Sequence, residues 1–167
     1  INVTFDNTAP NITIIKPNYS VSSIIEINAT INDIIGLSSA DYRIINSTTA
    51  LTSYIPLTLK SGTISSGVWN STYNTTQLND GRYYIEINAT DVNNYQSIKN
   101  VSFTIDNTAP IADFITPDNA IVRGILSINV SANDSGGITS AEYQLVNASE
   151  EITSWNILTL NSGNTTE

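Results

Sequence analysis

A chain of 167 residues that is 40% hydrophobic and 13% charged is globular rather than disordered, and is long enough for one large or two ordinary domains. Its net charge of −9, with only six Lys and Arg, argues against a nucleic-acid partner, and no apolar run reaches the eighteen or so residues of a membrane span. With neither Cys nor His, disulfides, thiolate zinc sites, cysteine nucleophiles, Ser-His-Asp triads and histidine-ligated metals are all excluded.

The chain opens on Ile1-Asn2-Val3-Thr4-Phe5-Asp6-Asn7-Thr8-Ala9-Pro10, an alternating apolar stretch that runs into a turn. No charged-then-apolar leader stands there, and no Met occurs anywhere, so a processed protein or a piece of a longer one is expected. The opening recurs at an offset of 100 as Val101-Ser102-Phe103-Thr104-Ile105-Asp106-Asn107-Thr108-Ala109-Pro110, with the pentapeptide Asp-Asn-Thr-Ala-Pro identical. It reads as a joint between repeats. Pro17 then falls on Pro117, and after one inserted residue Ile27-Asn28-Ala29-Thr30 meets Ile128-Asn129-Val130-Ser131. Ser39-Ala40-Asp41-Tyr42 meets Ser140-Ala141-Glu142-Tyr143, and Leu57-Thr58-Leu59 meets Leu158-Thr159-Leu160.

Within the complete repeat the apolar period is two, which calls for strands with one face in the core and the other in water. Ile25, Ile27, Ala29 and Ile31 share one phase; Tyr83, Ile85, Ile87 and Ala89 share another; Val101, Phe103 and Ile105 a third. Strands are predicted near residues 11–16, 24–31, 40–46, 53–60, 67–74, 82–91 and 97–105. Seven strands in about 100 residues predict an all-β fold of tandem immunoglobulin-like β-sandwich domains with antiparallel sheets. The predicted division is residues 1–6 as the closing strand of a preceding repeat, 7–107 as a complete domain, and 108–167 as the N-terminal part of a second.

Leu78-Asn79-Asp80-Gly81-Arg82-Tyr83 places a Tyr directly after a tight turn, where its ring enters the core and its hydroxyl reaches backbone: the chemistry of a tyrosine corner. With Asn88-Ala89-Thr90-Asp91 ending the next strand and Phe103 to Pro110 closing the domain, the chain resembles the bacterial and archaeal Ig-like repeats of surface proteins. That resemblance covers nearly the whole chain. Where the family often turns on Gly-Asn after the Asp, Val92-Asn93-Asn94-Tyr95 stands here. It implies a fold more than a function, because such repeats serve as stalks, adhesins, filament subunits and accessory modules of enzymes.

Both ends fall mid-domain on this reading. Either the piece belongs to a longer tandem array, or the first strand of one copy completes the unfinished sandwich of another by donor-strand addition. The array is favoured, since an added strand would still leave the counterpart of residues 82–91 missing and a core exposed.

The densest motif is Asn-x-Ser/Thr, the acceptor of N-linked glycans. It occurs at Asn2, Asn11, Asn18, Asn28, Asn46, Asn70, Asn74, Asn88, Asn100, Asn129, Asn133, Asn147 and Asn164. These are thirteen of twenty-two Asn; with 41 Ser and Thr in the chain, random placement gives about five or six. Asn28 and Asn88 fall on the outward phase of their strands, so glycosylation is expected in preference to a merely polar strand face.

Carboxylates are the remaining catalytic candidates, but Asp33, Asp80 and Asp91 fall in predicted turns, where Asp bonds its own backbone. No catalytic residue and no enzyme activity is expected. Calcium held by such acids, particularly Asp6 and Asp106 at the joints, is the weaker alternative to a site with no metal, because the dense acidic spacing of a calcium loop is missing. Tyr42, Tyr143, Trp69 and Tyr73 read as core or edge packing rather than a sugar-stacking platform. The expected protein is an extracellular, glycosylated structural protein of a bacterial or archaeal cell surface, its Ig-like repeats forming a stalk, surface layer or filament. No cofactor is expected, and its partners are other copies of itself or adjacent repeats, without nucleic acid or membrane insertion. The alternatives are an adhesin or carbohydrate-binding module, with or without calcium dependence, and an accessory domain of a secreted hydrolase.

Overall fold

The computed structural model describes residues 5–17, 20–117 and 121–163. The described residues contain strands, turns and bends but no α-helix, and hence no helix long and apolar enough to cross a membrane. The chain forms two compact units, Ile1–Asn107 and Thr108–Glu167.

The first unit contains β1 (Asn11–Lys16), β2 (Ser20–Val21), β3 (Ile24–Asn32), β4 (Leu37–Ile45), β5 (Ile55–Pro56), β6 (Thr58–Gly62), β7 (Ser66–Asn74), β8 (Gly81–Asp91) and β9 (Gln96–Ile105). They make two sheets, β1-β3-β7-β6 and β2-β9-β8-β4-β5, the strand partition of an immunoglobulin sandwich. All pairs are antiparallel except β2, which runs parallel to β9. The alternating phases do what their period predicts. Ile25, Ile27, Ala29 and Ile31 of one sheet face Tyr42, Ile44, Ile85, Ile87 and Ala89 of the other, all at most 4% exposed. Each such Ile contributes about 1.5–3 kcal/mol by leaving water.

Two predicted strands resolve differently. The stretch 53–60 is two short strands, because the chain changes sheets at buried Leu57: β5 pairs with β4, and β6 pairs with β7. The strand predicted at 40–46 begins earlier, at Leu37, directly after a sharp turn. Gly36 makes that turn at φ +106°, and a Cβ there would meet Ile64 Cγ1 at 2.9 Å. Both the space and the backbone angle therefore favour Gly.

The unit is threaded from pole to pole. Asn11 of β1 pairs with Asn32 at the far end of β3, so the chain enters beside the loops 33–36 and 64–66. It leaves at the other end of β3, where the Asn107 side chain accepts from Ser23 N at 3.1 Å and donates to Thr75 O at 2.9 Å and Leu78 O at 3.1 Å.

The second unit contains β10 (Ile111–Thr116), β11 (Asn129–Asn133), β12 (Glu142–Tyr143) and β13 (Asn156–Ile157). Its ladders repeat the registers of the first. Phe114 pairs with Val130 and Thr116 with Asn129 across a bulge, as Ile14 and Lys16 pair with Ala29 and Asn28. Glu142 pairs with Ile157 as Asp41 pairs with Pro56. Asp134 Oδ1 accepts from Gly136 N and Gly137 N, as Asp33 Oδ1 accepts from Ile35 N and Gly36 N. By itself this unit buries no hydrophobic side chain among its described residues; Phe114, Trp155 and Ile157 are each more than 60% exposed.

Candidate functional site

The Asn-x-Ser/Thr motifs distribute unevenly over the strands. Asn11, Asn74, Asn100, Asn129, Asn133 and Asn147 are exposed, while Asn46, Asn70 and Asn88 are half-buried. Asn2, Asn18 and Asn164 lie outside the described residues. Asn28 does lie on the outward phase of β3, yet it is buried between β1 and β7, with Lys16 and Asn70 as cross-strand neighbours and its amide directed to Glu26 Oε2 at 3.4 Å. Alternation sets which face a residue takes but not how far its neighbours cover it. At Asn46 and Asn147 the carboxamide oxygen, not the nitrogen, caps the following turn: Asn46 Oδ1 accepts from Thr48 N and Thr49 N, and Asn147 Oδ1 from Ser149 N and Glu150 N.

Three aspartates that are remote in sequence meet at the entry pole. One carboxylate oxygen each from Asp6, Asp33 and Asp91 lies within 4.8 Å of those of the other two. The three come from the joint, the β3–β4 loop and the end of β8. Pairing of β4 with β8 brings the last two together, with Leu37 opposite Asp91 and Val92 N donating to Gly36 O at 3.2 Å. Each carboxylate divides its work. Asp33 Oδ1 accepts from Ile35 N and Gly36 N at 3.0 and 2.8 Å; Asp91 Oδ1 from Asn93 N and Tyr95 N at 2.7 and 2.9 Å; Asp6 Oδ1 from Thr8 N and the Thr8 hydroxyl at 3.0 and 2.6 Å. The Oδ2 of all three is buried with no hydrogen-bond partner.

The turn reading of Asp33 and Asp91 is thus correct for one oxygen of each and silent about the other. No dense acidic spacing announces the cluster, since its members are separated by 27 and 58 positions. The available signal is recurrence: Asp33 and Gly36 return as Asp134 and Gly137, and Asp6 returns as Asp106. Asp80, also predicted in a turn, accepts from Asn107 N at 2.6 Å at the exit pole instead.

Two of the aromatic residues lie in the core. Tyr42 is 1% exposed and donates to Thr72 O at 3.2 Å; Trp69 is buried. Tyr54 lies under the Arg43 guanidinium at 4.7 Å and donates to Glu86 Oε1 at 2.7 Å, an oxygen that also accepts from Arg43 Nε.

No protein-family model and no curated protein matches the chain. Solved structures of similar architecture include CopC from Methylosinus trichosporium OB3b, at 11% identity and a TM-score of 0.39, covering 59% of this chain and 97% of that one. Murine CRIg matches at 10% identity and a TM-score of 0.36, covering 61% and 100% of the two chains. The collagen-binding subdomain of the Enterococcus faecalis surface protein ACE matches at 10% and 0.19, covering 62% and 100%. At such values it is the two-sheet strand order of the first unit that carries the assignment of an Ig-like β-sandwich.

Proposed function

We propose that this chain belongs to an extracellular, non-enzymatic surface protein of a bacterium or archaeon, in which Ig-like units joined in series form a stalk, surface layer or filament bearing N-linked glycans. The observation that carries the reading is the excess of acceptor motifs together with their place: six of the ten on described residues are exposed. The thread of the first unit supports the serial reading, because the chain enters that unit at one end of β3 and leaves it at the other. Its partners are then adjacent repeats or further copies, and its work is mechanical. Sugars and charged side chains on the outward faces keep strand edges from random pairing.

Intact-mass measurement of native material tests this directly. Discrete additions above the 18.0 kDa of the polypeptide are expected for this stretch. Bare polypeptide mass would remove the glycoprotein reading, and micrographs without fibres, stalks or an ordered layer would remove the structural one.

A further inference from the structure

Among the described residues, six buried side-chain oxygen or nitrogen atoms lack a hydrogen-bond partner, and three of them are the Oδ2 atoms of Asp6, Asp33 and Asp91. These three carboxylates also converge, one oxygen of each lying within 4.8 Å of those of the other two, which is not expected of a chain arranged only for stability. A buried, unpartnered polar atom costs about 1–3 kcal/mol and more when it is charged, and here three acidic groups face one another. Asp91 is fully buried and Asp6 is 7% exposed, so water offers little relief. The ion pairs of the described residues, Lys16 and Lys60 with Glu26 and Arg43 with Glu86, all lie elsewhere.

We propose that Asp6, Asp33 and Asp91 form a Ca²⁺ site that fastens the joint Asp6–Pro10 to the pole of the sandwich. The geometry fits the ion. With Ca²⁺–oxygen distances of about 2.3–2.6 Å, two ligands of one ion stand up to about 5 Å apart, and the three oxygens lie within 4.8 Å of one another. The donor set fits it too: hard carboxylate oxygens, in a chain without His or Cys, suit Ca²⁺ and not zinc or copper. The backbone N–H groups on each Oδ1 fix the carboxylates in place before the ion arrives, as outer-shell partners do in metal sites.

The consequence is mechanical. Asp33 and Asp91 belong to loops of the sandwich, whereas Asp6 belongs to the joint and is otherwise tied to the 91–95 loop by Asn93 Nδ2 donating to Asp6 O at 3.3 Å. An ion shared by all three would bind that connector to both loops of the sandwich at once. Calcium then sets the stiffness of the joint, a property that goes beyond the glycosylated structural role and stands independently of it.

The test is a calorimetric titration of the full 167-residue chain, expressed without glycans and stripped by chelator, with CaCl₂ and separately with MgCl₂. Saturable binding of one Ca²⁺ per chain, tighter than Mg²⁺, is expected, together with a higher thermal midpoint in Ca²⁺ than in chelator. Asp33→Asn and Asp91→Asn keep the Oδ1 acceptor of each loop and replace only the orphan oxygen; each should weaken Ca²⁺ binding about tenfold or more, because affinity follows ligand charge. Asp113→Asn, on an exposed carboxylate outside the cluster, should leave it unchanged. If a loop variant loses its β-sheet circular dichroism, Asp6→Asn, outside the strands, makes the same measurement. Absence of saturable Ca²⁺ binding, Mg²⁺ binding of equal strength, or unaltered affinity in the cluster variants would overturn the proposal.

Discussion

The Tyr83 hydroxyl donates to the backbone carbonyl of Asn79 at 2.9 Å, so the turn that starts β8 is closed by a side chain at the strand's third residue. Its ring packs against Phe103 with centroids 6.2 Å apart. Tyr83→Phe removes only the hydrogen bond and should cost about 1 kcal/mol, whereas Tyr83→Ala also loses the packing and should cost about 3 kcal/mol. Urea midpoints at unchanged m-value measure both; equal costs for the two variants would contradict this division.

Asn107 and Asn7 occupy the same place in identical pentapeptides but not in the first unit. Both are exposed, but the Asn107 side chain ties Ser23, Thr75 and Leu78 together at the exit pole, whereas Asn7 stands at the entry pole, away from those groups. Asn107→Ala should destabilise the first unit by about 2 kcal/mol, since it removes three hydrogen bonds each worth about 0.5–1.5 kcal/mol. Asn7→Ala should stay within about 0.5 kcal/mol of the parent. Denaturant titration of both variants decides it, and similar losses would mean that the joint acts by its local sequence alone.

Alkaline pH should weaken the first unit through two tyrosines. Burial raises the pKa of Tyr42, and burial followed by the hydrogen bond to Glu86 raises that of Tyr54. A raised pKa means that the folded state holds its proton longer than the unfolded chain does. The associated stability is complete below the ordinary tyrosine value of about 10 and falls as pH rises through the folded values. Unfolding midpoints should therefore drop above about pH 10, and a Tyr42→Phe, Tyr54→Phe double variant should drop less. An equally steep fall in the double variant would assign the effect to other groups.

Glycan occupancy should follow exposure rather than motif. Peptide mapping of native material is expected to find sugars on exposed Asn11, Asn74 and Asn100, and to find Asn28 the least modified of the acceptors in the first unit, because its amide lies between β1 and β7 against Glu26. Full occupancy of Asn28 would show that the modification precedes strand pairing.

The period-two alternation of residues such as Ile25, Ile27, Ala29 and Ile31 determined the strands, their inward faces and the sandwich, because strand geometry makes a local pattern sufficient to sort core from water. The turn before Tyr83 and the repeated joint were legible for the same reason: both depend on residues a few positions apart. Only the tertiary structure decided that Leu57 carries the chain between sheets, that Asn28 is covered, and that Asn107 latches a pole while Asn7 does not. It also brought Asp6, Asp33 and Asp91 together. Their meeting depends on which distant strands share hydrogen bonds, β1 with β3 and β4 with β8, and no local spacing in the chain encodes that.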